Sequence, residues 1–96
     1  MTPEQEERRG EEARVVLDNP IYREAFAQIE ANIVAKMALQ ATTAAEAEEL
    51  RRLMIALRKV RTYLEQVLTT GTMAAMEEER KRNWAQRMTD RYLARV

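Results

Sequence analysis

The residues with the most recognisable chemistry lie near the end of the chain: Arg80, Trp84, Arg87, Met88, Arg91, Tyr92 and Arg95. On a helix turning 100° per residue, the four arginines and Trp84 share an arc of about 80°, with Met88 and Tyr92 along its border. Guanidinium forks bind carboxylates or phosphates through paired hydrogen bonds, and an indole offers a large apolar face. Arg and Trp are also the side chains that most often dominate interfaces. The row is therefore read as an anchor for an acidic, partly apolar protein surface. The plainer alternative is that the arginines answer the helix macrodipole and Trp84 packs on the rest of the chain.

Chemistry of the catalytic kind has few candidates. The chain holds no histidine and no cysteine, which removes the commonest general base, the usual nucleophile pairs and the familiar zinc and di-iron ligand sets. Its two glycines, Gly10 and Gly71, are too far apart to form a phosphate-cradling loop. Carboxylates remain, and Glu46 with Glu49, or the run Glu77 to Glu79, could hold a hard cation. Acids at a helix start complement the dipole, however, and Glu77 and Glu78 face Lys81 and Arg82 one turn on. The reading is a non-enzyme with no catalytic residue, cofactor or metal.

Ninety-six residues make one domain with a small or shared core. Two glycines, two prolines and an abundance of Ala, Leu, Glu, Arg, Gln and Met make it all-helical. Sixteen basic residues balance sixteen acidic ones, so no global field recommends nucleic acid or an anionic membrane. The absence of cysteine, of a leader-like start and of a membrane-length apolar run suggests a reducing compartment.

The elements that must carry the row follow from capping signals. Thr2, Pro3 and Gln5 open a first helix, predicted to run to about Leu17, with residues 1–10 expected to fray around Gly10. At "LDNPIYREAF", Pro20 denies Asn19 the helical region and itself suits a first helical position, so one helix ends and another begins there. Tyr22, Phe26, Ile29, Ile33 and Met37 give the second helix an apolar face. Thr43 and Glu46 form a second capping box, and from there Leu50, Leu53, Leu57, Val60, Leu64 and Val67 keep the spacing of a heptad seam, widened by Met54 and Leu68. Gly71 in "TTGT" is predicted to end that helix, with Thr72 capping a fourth from about Met73 that has little apolar surface to bury.

The segments "VLDNPIYREAFAQIEANIVAKM" and "LRKVRTYLEQVLTTGTMA", within residues 14 to 75, resemble small helical proteins encoded among the head-assembly genes of tailed bacteriophages. That resemblance implies a phage setting and a structural or accessory role, and carries over no catalytic residue.

The expected molecule is one all-α domain over residues 1–96. It comprises a short N-terminal helix, an antiparallel hairpin core over 20–70 and a projecting C-terminal helical arm over 73–96, in a homo-oligomer. Its expected partner is a phage structural protein or another copy of itself, in the bacterial host cytoplasm or the virion and away from membranes. Two alternatives remain: a small DNA-binding or DNA-packaging subunit, which the basic row permits and the zero net charge disfavours, and a phage-encoded inhibitor of a host protein.

Overall fold

The computed structural model describes residues 1–39 and 42–94. Among them the regular structure is α-helix, in three elements: α1 (Pro3–Asp18), α2 (Pro20–Met37) and α3 (Ala44–Ala94). Each start is explained by its cap. The Thr2 hydroxyl accepts from the Gln5 N–H at 3.2 Å, and the Gln5 side chain accepts from the Thr2 N–H at 3.0 Å. Asn19, held extended before proline at φ −65° and ψ 125°, accepts on its side chain from the N–H groups of Ile21 and Tyr22. Thr43 and Glu46 repeat the reciprocal box where α3 begins. The proline break is thus a stop and a restart, and α1 is helical from Pro3.

The expectation of a helix end at Gly71 is overturned. Gly71 neither ends a helix nor precedes a fourth one, because α3 continues through it for 51 residues and no glycine has positive φ. Thr72, expected to cap, donates its hydroxyl to the Leu68 carbonyl at 3.0 Å within the same helix. The reason for a glycine here lies across the molecule. A Cβ added to Gly71 would stand 2.7 Å from the Gly10 Cα and 2.8 Å from the Glu6 carbonyl oxygen, and one added to Gly10 would stand 2.8 Å from the Gly71 Cα. The chain's two glycines therefore face each other where α1 crosses α3 with backbones nearly touching. Buried Ala13 and Ala74 keep that region small-sided, and α1 makes the most extensive contact with α3 of any pair of helices.

α2 meets the first half of α3 more loosely. The Arg61 guanidinium lies 4.8 Å from the Phe26 ring centroid, and Glu30 pairs with Arg58 at 3.3 Å. These partners run in opposite sequence order along the two helices. Tyr22 lies beside Phe26, with ring centroids 6.1 Å apart, and its buried hydroxyl has no hydrogen-bond partner among the described residues.

The buried apolar set is thin: Ala13, Phe26, Ile33, Met54 and Ala74, none of them completely enclosed. On α3 the half-buried and buried positions Leu50, Met54, Leu57, Leu64, Leu68 and Gly71 form the inward stripe. Leu53 and Val60, read from the sequence as members of the seam, are instead more than half exposed. The molecule is extended, measuring 82 × 24 × 20 Å, which is set by α3 alone at about 1.5 Å per residue. Its accessible surface is 8076 Å², against about 5,700 Å² for a compact monomer of this mass. Among the described residues no helix is long and apolar enough to cross a membrane.

Candidate interaction site on the end of the long helix

The last partly covered residue of α3 is Glu78; from Glu79 to Leu93 every residue is exposed. The sequence predicts a separate arm from about Met73; the exposed stretch begins instead at Glu79 and is the continuation of α3, with Ala74 buried and Ala75 and Glu78 half-buried before it. Its rigidity comes from an unbroken hydrogen-bond ladder that is seeded in the packed part, so the arm avoids the nucleation cost that an isolated short helix would bear.

On this arm Arg80, Trp84, Arg87, Met88, Arg91 and Tyr92 are all exposed; Arg95 lies outside the described residues. Trp84 is 64% and Tyr92 74% exposed. Among the described residues Trp84 is not part of the buried apolar set. It stands between Arg80, one turn before, and Arg87, one turn after, and these three line a shallow concavity with Met76, Glu79 and Asn83. Within the row, Arg80 pairs with Glu77 at 3.8 Å, while both side chains stay largely exposed. Glu77 thus faces Arg80 at i+3 and not Lys81, the partner expected from the spacing. Asp90, the one acid beside the row's distal half, is held by Gln86, whose amide donates to it at 3.1 Å. The face therefore presents an aromatic flanked by guanidinium groups, and can grip a surface that offers carboxylates around an apolar recess.

The other candidates are absorbed locally. The Glu46 carboxylate accepts from the Thr43 N–H and closes the helix start, and Glu77 faces Arg80. Among the described residues no three potential metal ligands come together. Glu11 has its carboxyl held below the ordinary range chiefly by the hydrogen bond from Arg14, and that bond in turn raises Arg14. The pair is exposed, so solvent screens most of its effect.

A second surface escaped the sequence reading. Leu53, Ala56, Val60 and Tyr63 form an exposed row along α3, and Leu53, Ala56 and Val60 line a groove with Ile29 and Ile33 of α2. Its signal was available, since the spacing of three, four and three is that of a helix-packing stripe. It is masked in the sequence because Leu53 and Val60 also fit the three-four spacing of the inward seam.

No family model, curated protein or solved structure matches the chain.

Proposed function

We propose that the chain is a non-enzymatic helical assembly protein of a tailed-phage particle, acting in the bacterial host cytoplasm or in the virion. Its α2 and the first half of α3 serve as an antiparallel hairpin scaffold, and the end of α3 docks to an acidic, partly apolar partner protein. The observation that carries this reading is Trp84, largely exposed and flanked by Arg80 and Arg87 on a stretch of helix, Glu79 to Leu93, in which every residue is exposed. A rigid rod with its aromatic and guanidinium groups at one end keeps the docking side chains away from the scaffold. Little order need then be imposed when the partner binds. The phage setting is supported by the resemblance over residues 14–75 alone.

The test is Trp84→Ala combined with Arg87→Glu. The double variant is expected to disappear from purified particles, by mass spectrometry, while its melting temperature stays that of the parent, because both side chains lie outside the packed region. Incorporation equal to the parent's would overturn the docking role. A salt-dependent gel shift on duplex DNA, lost in the same variant, would replace the protein partner with nucleic acid.

A further inference from the structure

The exposed row Leu53, Ala56, Val60 and Tyr63 lies on a different part of α3 from the arm, in the segment that also packs against α2. Leu53 is 52%, Val60 54% and Tyr63 58% exposed. We infer that this row, with Ile29 at its edge, is where a second copy of the same chain docks, α3 against α3.

Three observations select that occupant. The spacing is the period with which helices pack on helices, and Ala56 at its centre permits close approach, so the face calls for another helix. The core is too thin to be a full account of the folding: among the described residues there are five buried apolar ones, two of them alanines, and none is completely enclosed. A chain with so little enclosed needs its complement whenever it folds, and a second copy is present at every site of synthesis. The surface areas are consistent with this. The 8076 Å² exposed by one chain exceeds the compact-monomer value by about 2,400 Å², a surplus shared between the bare arm and the spine, and a standard interface takes only about 800 Å² of it from each partner. A self-complementary stripe also gives a closed, two-fold contact, which leaves both arms free for the docking proposed above.

The experiment uses the purified full chain. Sedimentation at micromolar concentration is expected to show a dimer or a higher even oligomer, and Leu53→Glu with Val60→Glu is expected to reduce it to monomer with helical circular dichroism retained. Ile55→Glu, an exposed position on the same helix but off the stripe, should leave the assembly intact. Because the chain has no cysteine, Ala56→Cys provides a second readout that requires no loss of fold: a bis-maleimide should cross-link it into dimers, and should not do so for Ile55→Cys. If the glutamate variant unfolds, this cross-link decides. A monomeric, cooperatively folded parent overturns the inference, as does an oligomer that survives both glutamates or cross-links equally at both positions. None of these outcomes depends on what the arm binds.

Discussion

The two halves of α3 are one continuous helix with opposite fates. Up to Glu78 it is the spine against which α1 and α2 pack; from Glu79 to Leu93 every residue is exposed. Helix propensity does not separate them, since both halves are rich in Ala, Glu, Arg and Met. What differs is side-chain size and apolar spacing. The spine offers Leu50, Met54, Leu57, Leu64 and Leu68, then Gly71 and Ala74, which give α2 apolar cover and α1 a smooth track. The arm offers isolated large groups among charges. A helix can thus be a core element and a docking element at once, provided the change of residue type falls at a definite point.

The comparison breaks most readily at the packed end. Phe26 is the largest buried side chain, and it carries the Arg61 guanidinium on its ring. Phe26→Ala should cost about 3 kcal/mol, the low end for such a truncation because the site opens into a groove. Denaturant unfolding at fixed protein concentration measures it. A cost under about 0.5 kcal/mol, which is typical of a surface position, would mean that α2 is not held on α3.

A smaller loss is expected at the junction. An exposed glycine within a helix gains about 1 kcal/mol on replacement by alanine. At Gly71, however, the new methyl would meet backbone atoms at 2.7 and 2.8 Å. Gly71→Ala should instead destabilise by about 1 to 3 kcal/mol, as overpacking does, with α1 losing amide-exchange protection before α3. A net gain in stability would mean that the helices do not cross as closely as Gly10 and Gly71 indicate.

That site also shows where the sequence stops being legible. Caps at Thr2, Asn19 and Thr43 are local signals, decided by side chains two or three residues away, and each lies where the sequence puts it. Gly71 is ambiguous locally, because "TTGT" fits a helix end and equally fits a close crossing. Only Gly10, far off in sequence, decides between them. The phase of the long seam was hidden in the same way: Leu53 and Met54 both continue a three-four spacing, and which one turns inward depends on where α2 lies. The arginine and tryptophan row was legible as a face because helical geometry alone sets it. Its exposure became readable only once the extent of packing along α3 was known.

The smallest effect belongs to the arm itself. Truncation after Gly71 would remove Ala74, which is buried, as well as half-buried Ala75 and Glu78, and so would cut into the region that α1 covers. Among the described residues, truncation after Glu79 removes only exposed ones. Their helix is seeded from the spine, so losing them deletes helical content without exposing any apolar surface that was covered. The melting temperature should therefore stay within about 4 °C of the parent's, the change that about 0.5 kcal/mol produces in a chain of this size. The helical circular dichroism signal should fall in proportion to the residues removed. A drop of more than about 8 °C would place Trp84 or Met88 among the groups that hold the fold together, and the partner-binding face would then have to be sought on the spine.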